Sequence, residues 1–181
     1  LLTIRIIEIY LQLRTRTKIG SRSFTRQLPF DMELSVEVDY KALDPEIRDL
    51  IEQAALIRSK AHVPYSNFAV GAALITDDGR IFTGCNVENA SIGLSVCAER
   101  TALTKAVSEG SKTCKMIAVV ADSKPGAYTT PCGACRQFIK EFDHNRKTVV
   151  YCARPDDTTK VFKATADQLL PYCFLSYDLT N

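Results

Sequence analysis

Two hydrophobic periods alternate along the chain, and their order predicts an α/β fold. From Asp44 the spacing is helical: Ile47, Leu50, Ile51, Ala54 and Ala55 share one face. Asp44 stands where an N-cap belongs, Pro45 suits the first helical position, and the helix should end near Lys60. Residues 68–76 form a β-rich run, Asp77-Asp78-Gly79 signals a turn, and residues 80–85 read as the returning strand of a hairpin. Residues 86–94 are polar and loop-like. Residues 95–109 return to helical spacing and close at Gly110, while residues 115–121 make a short buried-strand run. Residues 133–142 are helical again, and residues 148–152 and 161–163 supply two more short strands. This order belongs to a layered α/β domain in which helices cover a mixed, five-stranded sheet.

Residues 1–31 do not share that pattern. A β-branched, apolar run over 1–13 gives way to a mixture of Arg, Ser and Thr. We read 1–31 as an appendage, disordered or non-native, and 32–181 as the catalytic domain. The Arg-rich, acid-poor composition of 1–31 fits either an organelle presequence or translated sequence upstream of a start at Met32.

Charge sharpens the division. The whole chain of 181 residues carries 23 Lys and Arg against 21 Asp and Glu. Residues 1–31 hold six of the basic side chains and two of the acidic ones, so the remainder has 17 basic against 19 acidic, a net of −2. A mildly acidic body has no basic stripe with which to neutralise phosphates, which argues against nucleic acid as a partner. No run approaches the ~20 consecutive apolar residues that span a bilayer, so no membrane partner is expected. Seven cysteines, at 85, 97, 114, 132, 135, 152 and 173, without a secretory signal pattern, fit a reducing, cytoplasmic setting. In such a compartment a Cys-x-x-Cys pair binds metal or does redox chemistry more often than it forms a permanent bridge.

The chemistry concentrates in two segments, Ser95-Val96-Cys97-Ala98-Glu99-Arg100 and Thr130-Pro131-Cys132-Gly133-Ala134-Cys135-Arg136-Gln137. Each puts cysteine at the start of an expected helix, where unpaired N–H groups and the positive end of the macrodipole stabilise thiolates. Two such ends converging can hold one Zn²⁺ through Cys97, Cys132 and Cys135. Three thiolates leave the centre with a formal charge of −1, which Arg100 and the helix ends would offset. Glu99, two residues after a ligand, is placed to accept a proton from the attacking water and return it to the substrate. A closed structural site, with Cys85 or Cys114 as a fourth thiolate, is the plainer alternative. Cys85, Cys114, Cys152 and Cys173 otherwise read as small buried hydrophobes.

Cys-x-Glu followed by Pro-Cys-x-x-Cys is the arrangement of zinc deaminases. With Tyr65-Ser66-Asn67-Phe68-Ala69-Val70-Gly71-Ala72-Ala73, Cys85-Asn86-Val87-Glu88-Asn89-Ala90-Ser91 and, more weakly, Leu169-Leu170-Pro171 and Phe174, the chain resembles the small homotetrameric cytidine deaminases from about Tyr65 to Phe174. The resemblance implies a three-layer fold and hydrolytic deamination of free cytidine and deoxycytidine in pyrimidine salvage, with one Zn²⁺ per subunit. It implies that Phe68 stacks near the pyrimidine, Asn86 and Glu88 bind the ribose 3′-hydroxyl, the backbone of Ala98 meets the base, and Pro131 supports the ligand loop. It further implies a homotetramer with shared active sites, in which Phe174 and residues 89–92, Ala90 and Ile92 among them, serve a neighbouring subunit. Many members carry tyrosine where this chain has Ile92, so the contact at the ribose 5′ end stays open. Without the resemblance, Asn86 and Glu88 would cap turns, and Tyr65 and Phe68 would be packing residues. Other readings are a deaminase of free bases or aminopyrimidine antibiotics on the same fold, a polynucleotide-editing deaminase, and a zinc scaffold without turnover.

Overall fold

The computed structural model describes residues 36–175. The appendage assigned to 1–31 lies outside them. Among the described residues the order is β1 (Val36–Asp39), α1 (Pro45–Arg58), β2 (Val70–Ile75), β3 (Ile81–Cys85), α2 (Ala98–Ser108), β4 (Met116–Ala121), α3 (Gly133–Glu141), β5 (Val149–Arg154), β6 (Asp157–Thr165) and α4 (Ala166–Leu169), with 3-10 turns at Tyr40–Ala42 and Ile92–Leu94.

The sheet has six strands, not five, in the order β1-β6-β5-β4-β2-β3. The missing strand is β1, which adds to the edge antiparallel to β6, Val36 opposite Lys163 and Val38 opposite Val161. Its Val-Glu-Val-Asp alternation is a strand signal, but four residues beside the divergent first segment are too few to stand out. The β2–β3 and β5–β6 pairs are antiparallel hairpins, and β2 also runs antiparallel to β4. Only β4 and β5 are parallel, with α3 in the crossover between them. Parallel neighbours cannot be joined by a tight turn, so a helix in this position follows from the topology.

Alternation along the strands sorts side chains onto two faces. Ala72, Leu74, Ile117, Val119, Val150 and Cys152 pack with Ala98, Ala102, Leu103 and Ala106 of α2 and Ile139 of α3. Ala73, Ile75, Ala118, Val120, Tyr151, Ala153 and Val161 pack with Ile47, Leu50, Ile51 and Ala54 of α1. The result is three layers: α1, the sheet, then α2 and α3. Central strands buried on both faces explain why β2 and β4 read as continuous apolar runs rather than alternating ones.

Two glycines let helices approach the sheet closely. A Cβ on Gly71 would lie 2.0 Å from the Ala54 carbonyl oxygen of α1, and one on Gly84 would lie 2.4 Å from the Ala102 amide nitrogen of α2. Gly84 thus sets the height of the helix that carries Glu99. Asp44 occupies the N-cap position of α1 as expected, but its side chain makes no cap bond. Arg58, at the other end, donates from Nε to the Ala69 carbonyl at 2.9 Å and pairs with Asp122 at 2.5 Å. It ties α1 to the approach of β2, where Phe68 sits. Among the described residues no helix is long and apolar enough to cross a membrane.

Candidate metal centre and active site

Both cysteine motifs fold as expected, and for a reason visible in their backbones. Cys97 and Cys132 are the N-caps of α2 and α3 with extended φ/ψ, and neither uses its side chain to cap. Their carbonyls accept the first helical bonds, from Thr101 N at 3.0 Å and Arg136 N at 2.9 Å. The thiols are therefore free to turn toward each other, and Cys135, one turn into α3, joins them. The three sulfurs lie within 4.8 Å of one another. Cys97 Sγ and Cys132 Sγ are 3.9 Å apart. Zinc–sulfur bonds of about 2.3 Å at tetrahedral angles require sulfurs roughly 3.8 Å apart, so the donor set fits zinc. No fourth Cys, His, Asp or Glu joins this group among the described residues.

The centre sits beyond the carboxyl ends of the parallel pair β4 and β5, where open α/β sheets bind ligands. A separate cavity of about 310 Å³, lined by Cys114, Lys115 and Thr148, lies at the opposite strand ends and contains none of the expected site residues.

The electrostatics divide the cysteines into two groups. The hydrogen bond from Cys135 pulls Cys97 down to about 5, against a desolvation cost, and Arg100 and Cys132 pull the same way. The same bond, together with burial, pushes Cys135 up. Arg100 Nη2 lies 3.8 Å from Cys97 Sγ and donates to the Ser95 carbonyl at 3.1 Å, while its Nε is buried without a hydrogen-bond partner. Arg100 therefore faces the Cys97 sulfur. By contrast, burial pushes Cys114 and Cys152 well up, which keeps them as inert thiols. Cys85 and Cys173 are only partly buried, short of the buried environment expected for them.

Glu99 is 4% exposed, in the first turn of α2. Desolvation raises its carboxyl above the usual range, and the negative charge at Cys97 adds to the rise. Ala98 and Pro131 are fully buried on either side of the cysteine pair.

Asn86 and Glu88 reach this end of the sheet through a stitched loop. Val87 exchanges two backbone bonds with Val96, each 2.9 Å, just before Cys97. On its other side His62 N donates to Asn86 O and Glu88 N to His62 O. Both side chains already hold backbone. Asn86 accepts from Val70 N and donates to the Phe68 carbonyl, both at 2.8 Å. Glu88 accepts from Tyr65 N at 2.9 Å, Ser66 N at 3.2 Å and the Ser66 hydroxyl. These bonds hold Glu88 below its ordinary value, the Ser66 hydroxyl most of all. The turn-capping role that Asn86 and Glu88 would have on their own is therefore real, and its effect is to pin the strand approach that presents Phe68. Asn67 takes φ 56° beside it, a left-handed conformation that asparagine tolerates better than most residues.

Phe68, Phe174 and Ile92 are exposed, Ile92 at 82%. Tyr65 is exposed as well and packs into no core, and Ala90 lies on the surface of the same loop. Sequence reasoning missed what Arg136 and Gln137 do. Arg136 donates to the Pro131 carbonyl at 2.7 Å, the Leu169 carbonyl at 3.1 Å and the Thr130 hydroxyl at 3.1 Å, and so fixes the loop that carries Cys132. Their partners lie up to 37 residues away, and no local pattern announces such pairs.

Comparison with known proteins places this arrangement. The profile of the family described as the cytidine and deoxycytidylate deaminase zinc-binding region matches residues 45–153. A probable cytidine deaminase of Dictyostelium discoideum is 52% identical over 134 residues, 74% of this chain and 87% of that protein. A cytidine deaminase of Sporosarcina psychrophila is 43% identical over 75% of this chain and 96% of its own length. The crystal structure of a cytidine deaminase from Burkholderia pseudomallei superposes with a TM-score of 0.63 at 46% identity, over 70% of this chain and 97% of the other. The thiol cluster, the buried glutamate between its ligands and the three-layer frame that aligns them are those of a family to which this chain belongs, the zinc-binding cytidine and deoxycytidylate deaminases.

Proposed function

We propose that the chain removes the 4-amino group of free cytidine and deoxycytidine by hydrolysis, giving uridine or deoxyuridine and ammonia, in pyrimidine salvage. The observation that carries this reading is the convergence of three thiols from two helix N-termini beside a buried carboxyl, in a chain of the deaminase family. Cys97, Cys132 and Cys135 hold one Zn²⁺, which when bound lowers the pKa of water enough to supply a nucleophile near neutral pH. Arg100 and the two helix ends offset the charge of the thiolates.

Glu99 takes a proton from the attacking water and delivers it to N3 of the base; it then moves the remaining proton of the added hydroxyl to the amine, which leaves as ammonia while the C4 carbonyl forms. Burial raises the Glu99 carboxyl, which makes it a better acceptor for the water proton than an exposed carboxylate while leaving it acidic enough to pass that proton on, and both steps need the same group. The substrate lies with its pyrimidine against Phe68 and the backbone of Ala98. Asn86 and Glu88 face the ribose 3′-hydroxyl with the amide hydrogen and oxygen lone pairs that their backbone bonds leave over. Phe174 closes on the base from a neighbouring subunit, and Ala90 lies on the same shared loop. At Ile92 the pocket offers an apolar side chain and no hydroxyl to the 5′ end. The exposed apolar residues Ile92, Leu94, Tyr172 and Phe174 support a homotetramer in which they are covered. A cytoplasmic location is in keeping with the free thiols.

The test is Glu99→Ala. Zinc content should stay at the wild-type level while conversion of cytidine to uridine falls by roughly 10²- to 10⁴-fold. Metal lost together with activity would assign Glu99 to holding the site rather than to moving protons.

A further inference from the structure

Phe174 lies in an irregular stretch after α4 and is 66% exposed, with Tyr172 beside it at 95%. A stretch like this has no ladder or helix to fix its direction. Gln137 supplies the missing partner. Its Nε2 donates to the Phe174 carbonyl at 2.6 Å and its Oε1 accepts from the Phe174 amide at 3.1 Å. One side chain thus satisfies both backbone polar groups of one residue, as a neighbouring strand would, and leaves the aromatic ring free. Arg136 Nη1 holds the end of α4, where this stretch begins, at the Leu169 carbonyl, and Leu175 is buried just beyond Phe174.

Gln137 also stands two residues after Cys135 on α3. The helix that carries two thiols of the metal group therefore carries the clamp on the aromatic residue as well. We propose that Gln137 is a positioning residue, which acts through the backbone of Phe174 to set affinity for the pyrimidine nucleoside. The inference rests on the reading that Phe174 meets the substrate. It holds whether the site is in the same subunit or a neighbouring one, because the clamp fixes where the ring starts from.

The experiment is steady-state kinetics with cytidine on the zinc-loaded enzyme carrying Gln137→Ala, Gln137→Glu, Phe174→Ala, or Gln137→Ala with Phe174→Ala. Zinc content and hydrogen exchange at the Phe174 amide are measured alongside. Gln137→Ala and Phe174→Ala should each raise KM roughly tenfold with a smaller effect on kcat, and zinc content should not change. The Phe174 amide should exchange faster in Gln137→Ala, and the double variant should be no worse than Phe174→Ala alone, since both remove one contact. A wild-type KM in Gln137→Ala with a raised KM in Phe174→Ala overturns the positioning role, and so do effects that multiply in the double variant. A wild-type KM in Phe174→Ala overturns the reading of Phe174 itself, and the positioning role falls with it. Should Gln137→Ala lose zinc or fail to fold, Gln137→Glu decides. It keeps the volume but sets an anionic oxygen against the Phe174 carbonyl, so a raised KM at full zinc content supports the clamp and an unchanged KM overturns it.

Discussion

Two glutamates of this chain, eleven residues apart, are shifted in opposite directions. Burial lifts Glu99, whereas hydrogen bonds from Ser66 and Tyr65 depress Glu88. The sign for Glu88 is that of a stabilised carboxylate. Its hold on residues 65–66 is complete above the ordinary value of 4.5 and is lost as pH falls through the lower, folded-state value. An NMR pH titration followed at the Ser66 amide should therefore have its midpoint below 4.5; a midpoint at or above it would show that the carboxylate does not hold this loop. At this scale the cysteines and Glu99 were legible in the sequence, because their spacing within each helix start is local. The backbone bonds that the side chains of Asn86 and Glu88 make were not, because their partners sit 16 to 23 residues away.

Elements position the site through contacts that are remote from the chemistry. Gly84 of β3 touches the backbone of α2, and any Cβ there must push the helix away from the sheet. Gly84→Ala should cost about 1–3 kcal/mol of unfolding free energy by overpacking, and it should weaken zinc retention because Cys97 caps the displaced helix. Urea unfolding and a chelator competition would check the two effects. Lys140 of α3 is buried and pairs with Asp143 at 2.7 Å and with Asp167 of α4. Asp143 in turn accepts from the amides of Lys147 and Thr148, each at 2.9 Å, ahead of β5. Lys140→Met should cost about 3–5 kcal/mol, since it leaves the buried Asp143 carboxylate, and the partly buried Asp167 beside it, without their cation. A loss well under 1 kcal/mol in urea unfolding would mean that the cluster does not join these elements.

Element boundaries were legible where periodicity was strong: α1, α2, α3 and the central strands lie within a few residues of expectation. The short pieces were harder. β6 runs over nine residues where only its apolar centre was read as strand, because its ends are polar and its backbone pairs on both sides. The four-residue α4 was overlooked although Thr165 and Gln168 form a capping box, a local signal that could have found it.

For the whole molecule, alternating burial on a mixed sheet fixes three layers, and the one parallel pair fixes which end of the sheet holds the site. Fold class follows from the sequence because each layer is written locally as a period of two or of 3.6. The assembly is not written that way. Exposed Ile92, Leu94, Tyr172 and Phe174 come from two stretches of chain, 92–94 and 172–174, and no local period groups them into one surface. Sedimentation equilibrium should give the mass of four chains; a monomer at micromolar concentration would contradict the shared-site arrangement.

The central claim is that this thiol cluster binds zinc to deaminate a nucleoside. Its most direct test is a spectrophotometric assay of cytidine conversion on the purified chain with its metal quantified. The account predicts one zinc per chain, conversion of cytidine to uridine, loss of turnover on chelation and recovery on adding zinc. A chain fully loaded with zinc that leaves cytidine unchanged would contradict it.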